Sequence, residues 1–529
     1  MRVSPRRRPL SHPWKIAGLA ALAFLGGCAS VPPALTQDAS GAPVVQLASG
    51  RVRGSDGDIL SFKGIPYAKA PVGDLRWKPP VPIAPGPDTS RDTLRDATAF
   101  GTACMQAAAV PKSEDCLFVN VWAPREAVAR GDKLPVMVWV YGGSFHGGSG
   151  NIDGSALARK GVVVISMNYR VSTMGFMAHP ELSAESPDKV SGNYGILDVA
   201  QSLQWVQTNV ARFGGDPGRV TIWGVSSGAS VITALMSSPR SAGLFQRAIL
   251  QSPGAFRHWS TLAEGERQGQ GVGASLAALR ALPADRVPVI QNTGGGTAIR
   301  ALSEPRVIGP LRDGVVLPRE ERPTFEAGRM AQVQVLVGNN TDEGSPFTGT
   351  YTLATGDAFR AYLKEPVIFG RFGEEAASIY PVRSDSEVKR AIALSFGDSQ
   401  FWFGTRGVAR AAAARGFPTY RYVFARRQAG GTGVDARHGD EVRFVFGEKV
   451  LDAAPYTEDD RRISRTMMDA WVRFATTGNP NGGAINDWPA FGDARERAYV
   501  FDTHFSIVDA PRARELDFIG RFDASIPSP

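Results

Sequence analysis

Val220-Thr221-Ile222-Trp223-Gly224-Val225-Ser226-Ser227-Gly228 is the stretch that decides the fold. Its first four residues are continuously apolar or β-branched, as in a strand covered on both faces, and residues 229–236 behind it read as a helix. Between them a serine stands two positions from a glycine on either side, which suits a sharp strand-to-helix turn. Such a turn pushes the hydroxyl clear of the sheet, and the helix start behind it favours developing negative charge. Ser226 is therefore a candidate nucleophile. A glycine-x-serine-x-glycine string alone recurs by chance; the strand before it and the helix after it give it weight.

Outward from this turn, Tyr141-Gly142-Gly143-Ser144 directly follows another strand-like run, residues 136–140. A glycine loop in this context supplies backbone N–H groups to an oxyanion hole, together with the N–H of the residue after the nucleophile. The expected donors are the amides of Gly143, Ser144 and Ser227. Further buried-strand runs lie at 162–166, 248–251, 333–337 and 420–424, and residues 195–210 place Ile196, Val199, Leu203 and Val206 at helical spacing. Strands alternating with helices predict an α/β protein with a large, mostly parallel central sheet flanked by helices. The glycine run Gly294-Gly295-Gly296 is expected to be a mobile loop.

The chain has 529 residues, 43% hydrophobic and 21% charged, enough for a large core and outside the disordered, fibrous and repetitive classes. Its net charge of +8 suggests nucleic acid until the charges are located. Arg2, Arg6, Arg7, Arg8 and Lys15 precede Cys28 with no acidic residue among them, so five of the eight charges sit in a targeting segment. No basic stripe remains to bind nucleic acid. An apolar run at 16–25 follows, too short to span a bilayer but of secretory length, and then Leu25-Gly26-Gly27-Cys28. This end resembles the lipobox of bacterial lipoproteins. It implies a signal peptide over 1–27, a lipidated Cys28 and, with Ala29 next, an outer-membrane lipoprotein on the periplasmic side; a plain secreted protein is the alternative. Residues 28–45 read as a flexible tether and 46–529 as one domain. Cys104 and Cys116 are the other cysteines; in an oxidising compartment they are expected to form a disulfide. No zinc-ligand spacing, P-loop or dinucleotide fingerprint occurs, so no cofactor or metal is expected.

Several further strings together resemble the type-B carboxylesterases and cholinesterases. They are Gly64-Ile65-Pro66-Tyr67-Ala68 with Arg76-Trp77, Ser113-Glu114-Asp115-Cys116-Leu117-Phe118-Val119-Asn120-Val121, Asn168-Tyr169-Arg170, Asn193-Tyr194-Gly195, Phe213-Gly214-Gly215-Asp216-Pro217 and Trp471-Val472-Arg473-Phe474-Ala475. They stand in the family's order across about residues 46–525. The resemblance implies the α/β-hydrolase fold and a serine hydrolase acting on small-molecule carboxylic esters. It puts the triad acid at Glu343, in Thr341-Asp342-Glu343-Gly344, and the base at His438, in Arg437-His438-Gly439-Asp440-Glu441. Serine, then glutamate, then histidine is an order this fold uses. Imidazole suits proton transfer near neutral pH, and a carboxylate holds its tautomer. Asp342 and Asp440 are the alternative acids, read instead as loop or cap carboxylates. The resemblance also implies ion pairs Arg76–Glu114 and Arg170–Asp198 and the bridge Cys104–Cys116.

The sequence departs from the family at three places. Val225 stands where the family usually has glutamate, so an altered pH profile is expected. Ser144 replaces the third loop glycine, leaving the backbone donors in place. The segment between Cys104 and Cys116 has no tryptophan to face a quaternary ammonium, which argues against choline esters. Phe401-Trp402-Phe403 reads either as lining an acyl or alcohol pocket or as helix packing, and is left out of the site. Two other functions compete with ester hydrolysis. One is a non-catalytic binding or adhesion protein on this scaffold; the other is carbamate, thioester or amide hydrolysis by the same machinery.

Overall fold

The apolar runs pair into one ten-stranded sheet. Its strands are β1 (Ile59–Pro66), β2 (Phe118–Pro124), β3 (Leu134–Val140), β4 (Val163–Met167), β5 (Gly215–Val225), β6 (Arg247–Gln251), β7 (Gln334–Asn340), β8 (Thr419–Phe424), β9 (Ala498–Phe501) and β10 (Ser506–Val508). Across the sheet the order is β1-β2-β4-β3-β5-β6-β7-β8-β9-β10. Every pairing from β4 to β9 is parallel, and only the edges are antiparallel. This computed structural model describes residues 35–83, 94–273, 275–290, 307–349, 351–366, 368–427, 435–447, 456–492 and 494–526.

The six expected runs are the cores of β3 to β8. Parallel strands covered by helices on both faces need apolar residues at every position, which is why these were legible as unbroken runs. In β8 all six residues are buried. The antiparallel edges carry a weaker signal: β1 alternates between buried and partly exposed residues, and β10 has only three residues. The helix expected at 195–210 is α1 (Tyr194–Asn209), and the one expected at 229–236 is α2 (Ser227–Met236). All ten residues of α2 are buried, as expected of a helix that is apolar on every side.

A separate four-stranded sheet at the amino end joins Leu35–Gln37, Pro43–Leu47, Gly50–Arg53 and Leu94–Asp96. Residues 35–45, expected to belong to the tether, are thus largely paired. Asp38 closes the hairpin by accepting the N–H groups of Ser40 (2.8 Å) and Ala42 (3.1 Å), a turn chemistry hidden in a stretch without hydrophobic period. Residues 1–34, with the expected signal segment and Cys28, lie outside the described residues, as do Gly294, Gly295 and Gly296. Among the described residues no helix is long and apolar enough to cross a membrane.

Three expected internal links are present. Cys104 and Cys116 are bridged. Arg76 makes a two-pronged pair with Glu114, 2.6 Å on each side. Arg170 grips Asp198 through Nε (2.8 Å) and Nη2 (2.7 Å), and both residues are buried.

Candidate active site

Ser226 sits alone between the last residue of β5 and the first of α2, with φ 57° and ψ −127°. A non-glycine residue rarely adopts such a backbone, and strain of this kind gathers at functional sites. The turn is held in place because the Ser226 N–H donates to Gln251 O on neighbouring β6 (2.8 Å) and Ser226 O accepts from the Ser230 N–H (2.9 Å). Gly228 lets the helix start press against the end of β3: a Cβ there would lie 2.2 Å from Val140 O and 2.4 Å from Tyr141 O.

The glycine loop after β3 lies directly over this turn. A Cβ on Gly142 would stand 2.6 Å from Val225 O and 2.9 Å from Ser226 Cβ, so only glycine allows the approach. Positive φ at Gly143 (130°), Ser144 (56°) and Phe145 (64°) then bends the chain back on itself. Ser227 opens α2, so its N–H is one of those at a helix start without an intrahelical acceptor. The disulfide segment steadies this loop from outside, because Gln106 exchanges two hydrogen bonds with the Gly148 backbone, at 2.8 and 2.9 Å.

Glu343 follows β7 and its side chain is fully buried. Its Oε1 accepts from Ser252 Oγ (2.6 Å), the Asn340 N–H (2.7 Å) and Asn339 Nδ2 (3.1 Å). Its Oε2 meets His438 Nδ1 at 2.5 Å. Ser252 comes immediately after Gln251, the residue that receives the Ser226 N–H, so the acid and the serine are tied to adjacent residues of one chain segment. The His438 loop is laced to the Glu343 loop by Asp342 N–H to Ala436 O (2.7 Å) and His438 N–H to Asp342 O (3.1 Å). His438 Nε2, on the far edge of the ring, is buried and bonds to no group among the described residues. An orienting carboxylate on one nitrogen and an available second nitrogen are what a general base needs; such contacts to a nucleophile commonly tighten only when substrate is bound.

Asp342 and Asp440 hold loops, as read from the sequence. Asp342 accepts from the Ser345 N–H (3.1 Å) and the Ser345 hydroxyl, and Asp440 accepts the Arg437 N–H (2.9 Å). Of the remaining histidines, His12 lies outside the described residues and His179 caps a short helix by accepting the Glu181 N–H (3.2 Å).

Two features beside the histidine, an aromatic pair and a buried acid, were not assigned to the site from the sequence. Phe401, set aside there, lies against the imidazole with ring centres 4.3 Å apart, and Phe347 meets it edge-on at 5.1 Å. Phe401 belongs to a π-helical turn, Asp398–Trp402, between α3 (Val388–Gly397) and α4 (Phe403–Ala414). The extra residue in that turn is a local signal only coordinates reveal. Glu441 is the second. It is buried behind the acid, accepting from Gln251 Nε2 (3.0 Å) and Asn340 Nδ2 (2.5 Å), and burial, then the nearby Glu343 charge, push its carboxyl up to about 7. Val225 is nearly buried and puts no charge beside the serine. Among the described residues no three histidine, cysteine or acidic side chains gather as metal ligands would.

The Carboxylesterase family model matches residues 41–519. The chain belongs to the carboxylesterase family. It is 42% identical to the fumonisin B1 esterase of Sphingopyxis macrogoltabida over 90% of this chain and 89% of that protein. It is 32% identical to the para-nitrobenzyl esterase of Bacillus subtilis, over 89% and 97%. A solved PNB esterase superposes with a TM-score of 0.76 at 31% identity, covering 90% of this chain and 99% of its own. The α/β-hydrolase fold and the activity class follow: this carboxylesterase is a serine ester hydrolase.

Proposed function

We propose that Ser226, His438 and Glu343 are the catalytic triad of this carboxylesterase, with the amides of Gly143, Ser144 and Ser227 as its oxyanion hole. The reading rests above all on the 2.5 Å contact of His438 Nδ1 with Glu343, anchored one residue from the segment that receives the Ser226 N–H. Ser226 Oγ attacks the ester carbonyl carbon while His438 Nε2 takes the hydroxyl proton. Negative charge gathers on the carbonyl oxygen, and the three amides stabilise it there; losing one such donor typically costs about 3–4 kcal/mol of barrier. The intermediate collapses, His438 returns the proton to the departing alcohol, and an acyl-serine remains. Water, deprotonated by the same imidazole, releases the acid. Glu343 keeps the Nδ1–H tautomer and steadies the imidazolium.

The amino end supports a cellular reading. A basic segment, an apolar run and Leu25-Gly26-Gly27-Cys28 describe an exported protein whose mature chain starts at a lipidated Cys28 and holds one esterase domain beyond a tether. The anchor would keep the enzyme at a membrane surface on the periplasmic side. A Cys28→Ser variant moving from the membrane to the soluble fraction supports this; unchanged partition opposes it.

Catalysis is tested with a fluorophosphonate probe and a chain-length series of nitrophenyl and para-nitrobenzyl esters. Label on Ser226 in the wild type and none in Ser226→Ala is expected, with turnover lost in parallel. A wild type inert to both would leave the binding-protein reading standing. Thioesters belong in the same panel, since a fatty acyl-CoA hydrolase precursor of Anas platyrhynchos is 31% identical over 95% of this chain.

A further inference from the structure

Arg421 stands on β8, where strand alternation turns it away from Tyr420 and Tyr422. Those two tyrosines pack among Phe474, Trp471 and Trp488 on one side of the sheet. Arg421 enters the other side and is 0% exposed, although none of its three guanidinium nitrogens has a hydrogen-bond partner among the described residues. One face of the group is covered by the ring of Trp402 at 5.5 Å, which leaves the donors at its edge. Burial pushes its proton affinity down only to about 9, so it keeps its positive charge at neutral pH.

The acids nearby are already engaged. Glu496 receives Arg406 on Oε2 (2.7 Å) and Arg410 on Oε1, and Asp517 receives the other arm of Arg406 (2.6 Å). Two guanidinium groups thus take up both carboxylates, and Arg421 is left without an acidic partner among them. Thr405, one turn along from Trp402 and fully buried, also has a hydroxyl without a partner. Water could take up the donors but would leave the buried charge uncompensated, and an unbalanced buried cation is strongly disfavoured.

We propose that the Arg421 guanidinium, behind Trp402, holds a small monovalent anion, chloride by abundance, as a structural ligand of the folded enzyme. The bound charge balances Arg421 itself, since Arg406 and Arg410 are already matched by Glu496 and Asp517. This assignment does not depend on that of the triad.

Bromide-soaked crystals of the full enzyme, measured at the bromine edge, test it directly. An anomalous peak within hydrogen-bond distance of the Arg421 nitrogens is expected; ordinary water density there with no anomalous signal overturns the proposal. Independently, the thermal midpoint of the wild type should rise by about 2 °C in sodium chloride over sodium gluconate at equal ionic strength. Arg421→Met should lose that difference, and an equal response in both proteins counts against the site. Should Arg421→Met fail to fold, the bromide measurement on the wild type decides alone.

Discussion

The Phe401 ring lies 4.3 Å from the His438 imidazole, centre to centre, tilted by 34°. An aromatic face at this distance restrains the ring. Phe401→Leu is expected to lower kcat about two- to tenfold, the worth of one aromatic contact, with KM little changed, and Phe401→Tyr should restore it. A leucine variant with wild-type kcat would refute the assignment.

Val225→Glu puts a charge where the family usually carries glutamate. A carboxylate there opposes the loss of protons from groups around it, so the acidic limb of kcat/KM is expected to move up. Superimposable pH profiles for the two proteins would show that residue 225 has no electrostatic hold on the site.

Gly142→Ala tests the approach of the glycine loop to the serine. The new methyl would meet Val225 O at 2.6 Å, backbone that cannot move without disturbing the turn. The loop must shift, and the amides of Gly143 and Ser144 with it. A fall in kcat of about a hundred- to a thousandfold is expected, with the circular dichroism spectrum and substrate KM near wild type. Activity within threefold of wild type would mean the loop is not the source of the donors.

Glu441 links stability to pH. Its carboxyl is pushed up to about 7 in the folded protein, from an ordinary value of 4.5. Between those values the folded state keeps a proton that the unfolded state has released, so this group makes stability fall as pH rises. Glu441→Gln removes that contribution, and its urea midpoint relative to wild type should climb between pH 5 and pH 8. Parallel midpoints across that range would exclude it.

What the sequence determined by itself was whatever depends on near neighbours in the chain. A sharp turn at Ser226 needs an apolar strand before it, glycines around it and a helix after it, all within seventeen residues, and every one is visible in order. Buried parallel strands are likewise legible because each must be apolar throughout. Glu343 and His438 were reachable only through resemblance, since nothing in the spacing of residues 226, 343 and 438 requires them to meet. The contact of Glu343 with His438 is a property of the sheet: β5, β6, β7 and β8 lie side by side and parallel, so the loops leaving their carboxyl ends lie near one another. Packing alone decided the rest. Phe401 was one aromatic in a run of three until a π turn aimed it at the imidazole. Glu441 was only the last residue of the His438 string until the amides of Gln251 and Asn340 closed on it. Arg421 lay in an ordinary strand pattern, and only the neighbouring strands and helices take its charge out of water.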